Sequence, residues 1–394
     1  MNRRDLVKAA GAGAMSLAGG RLFAAGSGQP RFLLVFLRGG YDAASLLVPV
    51  GSSFYYEARR DIAIPRPSAD QNTALPLDVD WGLHPALRES IYPMFQKGEA
   101  AFIPFAGTPD TSRSHFETQD SIELGQPLDQ SRNYRSGFLN RLAATLRGAE
   151  PMAFTDQLPL VFQGTARVPN TALKSIAKPS LDVRQSQIIS AMYQNTALAS
   201  AVNEGFTVRD EVMREMSAEM DAANRNAISA KGFELESRRI ARLMKERYSI
   251  GFVDVGGWDT HVNQGAGTGY LAGRFDELGR GLAAYASEMG AMWKDTTVVV
   301  LSEFGRTFRQ NGNRGTDHGH GTVYWVLGGG LRGGKVAGEQ LKVDAPSLFQ
   351  NRDFQVLNDY RAVLGGLMAR LYGLGPAQTE QIFAGIKSRD LGLV

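Results

Sequence analysis

Residues 297–329 constrain the fold of this chain more than any other stretch. They form two apolar, β-branched runs joined by a polar loop. The loop contains four candidate metal ligands: Glu303, Asp317, His318 and His320. The pattern predicts a buried strand that carries an acidic residue to its carboxyl end, followed by a histidine-rich loop that leads into the next strand. Ligands of open α/β sheets bind at that edge, and zinc, manganese and iron accept such side chains, so the stretch predicts a metal site.

The small number of histidines strengthens this interpretation. The chain has five histidines and no cysteine, so a thiolate site and a disulfide are both excluded. His261 follows another predicted strand and lies two residues after Asp259, which puts both side chains on one face of an extended segment. That spacing suits two ligands of one ion. The alternative is that the histidines are solvated loop residues and that Glu303 belongs to an exposed ion pair.

Two more predicted strands end in polar residues. Residues 31–37 form an apolar run that breaks into a glycine turn and reaches Asp42, which either caps the next helix or binds metal. Residues 101–106 form a short strand before the sequence GTPDTSRSHF, whose polar members include Thr111, Ser112, Arg113 and His115. A helix start favours an anion, and a hydroxyl there can act as a nucleophile, although an N-cap alone also explains the pattern.

The remaining patterns indicate alternating strands and helices. Residues 160–162 and 248–254 have the composition of strands, whereas residues 274–293 and 359–372 have helical periodicity. Residues 181–247 predict a helical insertion packed on the sheet, to which we assign no chemistry. An α/β chain of this size commonly forms a single sheet with insertions.

Residues 1–25 have the pattern of a twin-arginine (Tat) signal. Arg3 and Arg4 precede an Ala/Gly-rich stretch, which predicts export by the Tat machinery to the periplasm or beyond and a mature domain at residues 26–394. The segment has four basic residues and one acidic residue, which accounts for the net charge of +3. The mature part is therefore close to neutral, and no basic stripe predicts a nucleic-acid partner. No apolar run approaches the ~20 residues that span a bilayer.

Five motifs in order carry a family resemblance: RGGYDAAS, SRSHF, GGWDTH, SEFGR and DHGHG. Together they resemble the Tat-exported family called domain of unknown function 1501, which is itself similar to the alkaline phosphatase and sulfatase superfamily. The resemblance covers nearly all of the mature chain. It implies an alkaline phosphatase-like, three-layer α/β/α sandwich with a mostly parallel central sheet and a metal-assisted hydrolase site.

The resemblance also implies a role for each motif. The implied metal ligands are Asp42, Asp259, His261, Glu303 and either His318 or His320. Ser112 matches the nucleophile at a helix start, with Thr111 as the alternative, and His115 or a metal would deprotonate it. The arginines expected to neutralise the ester oxygens are Arg38, Arg113 and Arg306. Phe304 stands where the superfamily usually has a histidine ligand, so a second ion is either absent or held by Glu303 and Asp42.

From these motifs we expect an exported hydrolase of phosphate or sulfate esters, either small molecules or polymers. Its cofactor would be a divalent metal, with zinc as the first choice and manganese, iron or calcium as alternatives. The alternative function is a non-catalytic exported protein that keeps the phosphatase-like fold and binds metal or a polymer. Loss of the histidine ligand at Phe304 favours that alternative, whereas the hydroxyl, arginine and histidine string favours an enzyme.

Overall fold

The computed structural model describes residues 29–171, 173, 183–207 and 232–394. The predicted signal peptide at residues 1–25 lies outside these ranges, as do two parts of the predicted insertion. Within the described ranges, no helix combines the length and the apolar character needed to cross a membrane.

The described strands form a large sheet and a small one. They are β1 (Arg31–Leu37), β2 (Leu47–Val48), β3 (Leu75–Pro76), β4 (Gly82–Leu83), β5 (Ala100–Gly107), β6 (Pro151–Ala153), β7 (Ile250–Val255), β8 (Thr296–Ser302), β9 (Thr322–Leu327), β10 (Lys335–Val336) and β11 (Asn358–Asp359). The large sheet has the order β10-β5-β9-β8-β1-β7-β6, and β11 also pairs with β5. The small antiparallel sheet has the order β2-β4-β3.

The large sheet is mostly parallel. β1 lies at its centre, parallel to both β7 and β8. β9 runs antiparallel to its neighbours β5 and β8, so β5 points in the same direction as β1. The carboxyl ends of β1, β5, β7 and β8 therefore share one edge with the amino end of β9. Because the functional motifs follow or precede these strand ends, they are collected at one place.

Helices cover both faces of the sheet. Those with defined bounds are α1 (Ala43–Leu46), α2 (Ser53–Ala58), α3 (Ile91–Gln96), α4 (His115–Leu124), α5 (Phe138–Thr145), α6 (Val183–Tyr193), α7 (Phe233–Glu246), α8 (Tyr270–Met289), α9 (Tyr360–Tyr372) and α10 (Pro376–Ile382). Leu33, Val35 and Leu37 of β1 pack in one core with α7 and α8. Phe32, Leu34 and Phe36 pack in a second core with α5 and α9. Burial on both faces explains the continuous apolar run of β1 and confirms the predicted α/β class.

Two segments differ from the sequence predictions. Residues 160–162 form a short 3-10 helix instead of a strand, and Pro151–Ala153 pairs with β7. Val161 N donates to the buried Glu123 carboxylate, which replaces a strand partner for that amide. The predicted insertion also ends too late, because α7 packs in the main core, where Tyr285 Oη of α8 lies 3.2 Å from Met244 Sδ.

Candidate metal centre

Four polar side chains meet at the shared edge of the sheet. His115 begins α4, which follows β5, and His318 lies in the loop before β9. Asp259 and His261 lie in the loop after β7. The same strand ends that carry the motifs in the sequence therefore position the cluster. His115, Asp259 and His318 offer ligand atoms within 4.8 Å of one another.

The imidazole nitrogens approach each other closely. His318 Nε2 lies 3.0 Å from His115 Nε2 and 3.2 Å from His261 Nε2. Asp259 Oδ1 lies 2.9 Å from His261 Nε2 and 3.4 Å from His318 Nε2. Asp259 Oδ2 lies 3.7 Å from His115 Nε2. His318 and Asp259 thus form the middle of the cluster, with His115 and His261 as their neighbours.

Each of the three rings has its other nitrogen beside an acceptor. His115 Nδ1 lies 2.8 Å from Glu303 Oε1, and His261 Nδ1 lies 3.2 Å from Asp317 Oδ1. His318 Nδ1 lies 3.0 Å from the backbone carbonyl oxygen of Arg113. Since carboxylates and carbonyls only accept hydrogen bonds, each Nδ1 carries the proton. A neutral ring in this arrangement presents a bare Nε2 lone pair to the cluster.

The Nε2 atoms of the three rings and Asp259 Oδ1 lie close enough together to share one cation. The Glu303 hydrogen bond raises the pKa of His115, so a proton on its Nε2 can satisfy the contact with His318. Burial is the main cause of the lowered pKa of His318, and the charge of His115 lowers it further. The single lone pair on His318 Nε2 can accept a hydrogen bond from one neighbour only. A divalent ion satisfies all the donors together. Donors at about 2.0–2.1 Å from a tetrahedral zinc lie about 3.4 Å apart, and imidazole and carboxylate are zinc ligands, so the residues fit such an ion.

Arg306 keeps Asp259 negatively charged. Its side chain is fully buried, and Nη1 lies 2.7 Å from Asp259 Oδ1. Burial acts to raise the pKa of Asp259, but the hydrogen bond and charge of Arg306 outweigh it and the pKa is lowered. Arg306 Nη2 also donates to the carbonyl oxygen of Thr316. Arg306 was predicted to bind substrate, but its guanidinium is bound within the protein.

Glu303, predicted as a metal ligand, is hydrogen-bonded to His115. Its carboxylate is fully buried, and Oε1 accepts from Gly39 N, His115 Nδ1 and Gln119 Nε2 at 2.9, 2.8 and 2.9 Å. Oε2 lies 2.8 Å from Ser302 Oγ, whose single hydroxyl proton is shared with the carbonyl oxygen of Leu37 at 2.6 Å. Burial acts to raise the pKa of Glu303, but the His115 and Gln119 hydrogen bonds outweigh it and the pKa is lowered. Oε1 thus has three donors within the protein.

Asp42, predicted as a cap or a ligand, instead forms a buried ion pair with Arg59. Arg59 Nη1 lies 2.6 Å from Oδ2, and Nη2 lies 2.9 Å from Oδ1. Ser45 Oγ and Gln264 Nε2 also donate to Oδ2, at 2.6 and 2.7 Å. Asp42 occupies the N-cap position of α1 without capping it through its side chain. The guanidinium therefore takes the place that the sequence analysis gave to an ion.

His320, the alternative to His318, lies apart from the cluster. Its ring packs on Phe349 with a centroid distance of 4.9 Å, and burial lowers its pKa to about 4. The Phe304 ring packs on His115 and His318, with centroid distances of 4.9 and 5.1 Å. Phe304 is therefore an apolar wall of the cluster at the position where a further ligand was expected.

The predicted nucleophiles lie on the surface before α4. Thr111 and Ser112 are exposed, and Ser112 Oγ accepts from Ser114 N at 3.3 Å and lies 3.4 Å from Thr118 Oγ1. In the part of the chain that the structure describes, neither hydroxyl is hydrogen-bonded to the cluster. His115, predicted as a base, instead has its Nε2 among the candidate ligand atoms.

The two remaining predicted arginines are also paired. Arg113 Nη2 lies 2.7 Å from both Asp353 Oδ2 and Gln350 Oε1. Arg38 lies 2.8 Å from Glu123 Oε1 and 3.0 Å from Asp254 Oδ2. Their guanidinium groups therefore hold the loops around the cluster. The contact of the Arg113 carbonyl with His318 has no signal in the sequence, because a main-chain acceptor has no residue-type signature. Asp317 was a candidate ligand, and its contact with His261 was not predicted.

Comparison with known proteins identifies one family and distant structural neighbours. The family described as "Protein of unknown function (DUF1501)" matches residues 29–384, and no curated protein matches the chain. A crystal structure of a protein in the alkaline phosphatase superfamily from Vibrio parahaemolyticus is similar, with 13% identity and a TM-score of 0.35 over 77% of this chain and 61% of that chain. Ps i-CgsB in complex with k-i-k-neocarrahexaose gives 8% identity and a TM-score of 0.37 over 89% of this chain and 74% of that chain. The chain thus spans less than two thirds of the first of these proteins.

Proposed function

From the premise that this chain belongs to the DUF1501 family, we propose that it is a metal-dependent hydrolase of phosphate or sulfate esters. One observation carries the proposal: three imidazoles, each with Nδ1 beside an acceptor, bring their Nε2 atoms together next to Asp259. The ester class rests on the resemblance of the five sequence motifs to the phosphatase and sulfatase superfamily. Whether the ester is a small molecule or part of a polymer is left open.

The residues that would hold the ion are His115, Asp259, His261 and His318. Zinc fits this set of nitrogen and oxygen donors best, and the set contains no thiolate that would select a softer metal. When bound, such an ion supplies Lewis acidity that polarises an ester oxygen. Side chains of Asp259 and His261 are 45% and 40% exposed, so an ester can reach the cluster from solvent.

Ser112 is the proposed nucleophile, with Thr111 as the alternative. Both hydroxyls lie at the start of α4, within four residues of His115, and both are accessible to an ester. When the hydroxyl oxygen attacks phosphorus or sulfur, the bond to the substrate alcohol breaks, the alcohol leaves with the hydroxyl proton, and water then hydrolyses the covalent ester to phosphate or sulfate and the free hydroxyl. Direct attack by water is the competing route, and it requires neither side chain.

The proposal is tested by histidine variants of the full chain. His318→Asn is expected to lose most of the bound zinc and all turnover of an aryl phosphate or sulfate, because it removes a central donor. His320→Asn is the matched control from the same loop and is expected to keep both. Zinc content is measured by elemental analysis and turnover by release of the aryl alcohol. Equal zinc content in the two variants would contradict the proposal.

A second arm separates the routes of attack. Ser112→Ala is expected to abolish turnover while zinc content stays at the wild-type level, because only the covalent step is lost. If Thr111→Ala is the inactive variant instead, Thr111 is the nucleophile. Full activity of both variants would exclude the covalent route and leave the metal-dependent one.

A non-catalytic metal-binding protein is the second candidate. It is favoured by the absence of a hydrogen bond between either hydroxyl and the cluster, among the described residues, and by the apolar ring of Phe304 beside His115 and His318. Zinc-loaded wild-type protein that hydrolyses no phosphate or sulfate ester would favour this candidate over the hydrolase.

A further inference from the structure

Arg314 differs from the arginines that the sequence motifs highlighted. Arg38, Arg113 and Arg306 all pair with carboxylates. Arg314 is exposed, and its guanidinium has no hydrogen bond, ion pair or ring contact with any residue that the structure describes. It lies four residues before His318 in the loop that leads into β9. It is therefore an unpaired cation on a segment that carries a candidate ligand.

The backbone holds Arg314 beside the segment of His261. Gln264 N donates to the carbonyl oxygen of Arg314 at 3.0 Å, and Asn263 N donates to that of Asn313 at 2.9 Å. A Cβ atom on Gly315 would lie 2.3 Å from the carbonyl carbon and oxygen of His261, so only glycine allows this approach. The position of Arg314 is thus fixed against one side of the cluster, whereas its side chain is free.

Arg314 also has a backbone conformation that its side chain disfavours. Its φ is +54°, in the left-handed region that glycine and asparagine adopt more readily. The neighbouring turn is organised by Asn311, whose Oδ1 accepts from Asn313 N and Gly315 N at 2.9 and 3.1 Å. A glycine or asparagine at position 314 would form this turn with less strain. Strain of this kind concentrates at functional sites.

The exposed side of the cluster otherwise presents negative charge. Asp259 and Asp317 have carboxylate side chains that are 45% and 52% exposed. An anionic ester that approaches from solvent meets these carboxylates. Arg314 lies on the loop that is hydrogen-bonded to residues 263 and 264, and its unpaired guanidinium offers the opposite charge and two parallel donors, the geometry that phosphate and sulfate oxygens accept.

We propose that Arg314 binds the phosphate or sulfate group of the substrate at the rim of the cluster and determines the preference for an anionic ester. The inference rests on the proposed function in one respect: that function places the ester at this cluster. Arg314 is a binding residue in this scheme, and it takes no part in proton transfer.

The test measures binding of inorganic phosphate and of inorganic sulfate to the zinc-loaded full chain by calorimetry. Arg314→Ala is expected to bind either anion roughly tenfold or more weakly, the loss typical of a hydrogen bond to a charged group. Arg332→Ala is the matched control. Arg332 is exposed and follows the carboxyl end of β9, at the opposite edge of the sheet. The Arg332→Ala variant removes the same charge and is expected to leave anion affinity unchanged.

The variant Arg314→Gly distinguishes a binding role of Arg314 from a purely structural one. It is expected to weaken anion binding as much as Arg314→Ala while its Tm equals or exceeds that of the wild type, because glycine relieves the positive φ. Wild-type affinity in both Arg314 variants would overturn the inference, and so would a wild type that binds neither anion.

Turnover separates this inference from the proposed function. If Arg314 variants lose anion binding but the wild type hydrolyses no ester, the hydrolase proposal fails and the role of Arg314 stands. If the wild type hydrolyses an aryl ester and Arg314→Ala leaves its KM unchanged, the role of Arg314 fails and the hydrolase stands.

Discussion

Glu303 illustrates how a buried carboxylate controls a neighbouring ring at the scale of single residues. Its Oε1 accepts a hydrogen bond from His115 Nδ1, which leaves Nε2 free of hydrogen in the neutral ring. Asp317 does the same for His261. Partners of this kind fix the orientation of a ligand and raise its basicity. In the proposed zinc site, metal affinity would therefore depend on residues that need not touch the ion.

Glu303→Gln is expected to lower zinc affinity about 10- to 100-fold without removing the site. The amide keeps the size of the side chain and can still accept from His115, but it loses the charge that makes the ring basic. Affinity is measured by competition with a chelating dye. A loss as complete as that of His318→Asn would show that Glu303 binds the ion directly, as the sequence analysis predicted.

Asp317→Asn is the comparison variant. Its side chain is 52% exposed, so solvent screens its charge more than that of the buried Glu303. The expected decrease in zinc affinity is smaller than for Glu303→Gln. An equal or larger decrease would mean that His261 depends on its partner as strongly as His115 does.

The motifs correctly predicted that several residues lie at strand ends, but they did not predict what those side chains contact. The motif DHGHG does not distinguish its two histidines, because the difference arises from the packing of His320 on Phe349. Likewise, nothing near Asp42 in the sequence shows that Arg59 of another segment takes both of its oxygens. Partners of this kind are set by tertiary packing, which local patterns do not encode.

At the scale of one short element, the contacts of the His84 ring depend on its protonation state. It precedes the 3-10 helix Pro85–Leu87, and its Nδ1 accepts from Ala86 N at 3.1 Å. Its Nε2 lies 3.0 Å from the carbonyl oxygen of Ala266 and donates to it. The Nδ1 contact requires the neutral ring, because a protonated Nδ1 cannot accept, whereas Nε2 donates in either protonation state. Burial lowers the pKa of His84 to about 4.

This pKa predicts a pH-dependent stability. The folded value lies below the ordinary value of about 6.5, so the stabilisation is complete above about pH 6.5 and is lost as pH falls towards 4. Between pH 7 and pH 5 the wild type is expected to lose on the order of 2 kcal/mol more unfolding free energy than His84→Asn, whose side chain can still cap the helix. Urea denaturation of protein that a chelator has freed of metal measures this difference in unfolding free energy. Parallel pH profiles would contradict it.

Strands were predicted better than short irregular elements. The runs that became β1, β5, β7 and β8 are mostly apolar and largely buried, as is typical of strands covered on both faces. Residues 160–162 have the same composition but follow Pro159 and bury their amide against Glu123. Three apolar residues are too few for periodicity to separate a strand from one turn of 3-10 helix.

At the scale of the whole molecule, sheet topology explains why five separate motifs predict one site. Parallel strands bring their carboxyl ends to one edge, and the reversed β9 brings its amino end to the same edge. The predicted fold class is therefore confirmed by the described residues, and the family resemblance is confirmed by the match over residues 29–384. The sequence leaves the substrate undetermined, because exposed side chains such as Arg314 leave no pattern in it.

Export by the Tat machinery is a proposal, because residues 1–25 lie outside the described residues. Replacing both Arg3 and Arg4 with lysine is expected to retain the protein in the cytoplasm, because the Tat machinery reads the arginine pair. Fractionation of cells that express each variant measures the effect. Arg21→Lys, in the same segment, is the matched control. Normal export of the double variant would contradict a Tat signal.

The sheet order has a further consequence for how the cluster assembles. β8 and β9 are neighbours in both sequence and sheet, whereas β1 pairs with β7 across a long separation, with Phe32 opposite Ile250. Pairing of close segments costs less loop-closure entropy than pairing of distant ones. His318 can therefore take its place early in folding, but Asp259 and His261 join it only after the distant pairing of β1 with β7. Metal uptake should accordingly follow the slowest long-range step and report completion of the native sheet.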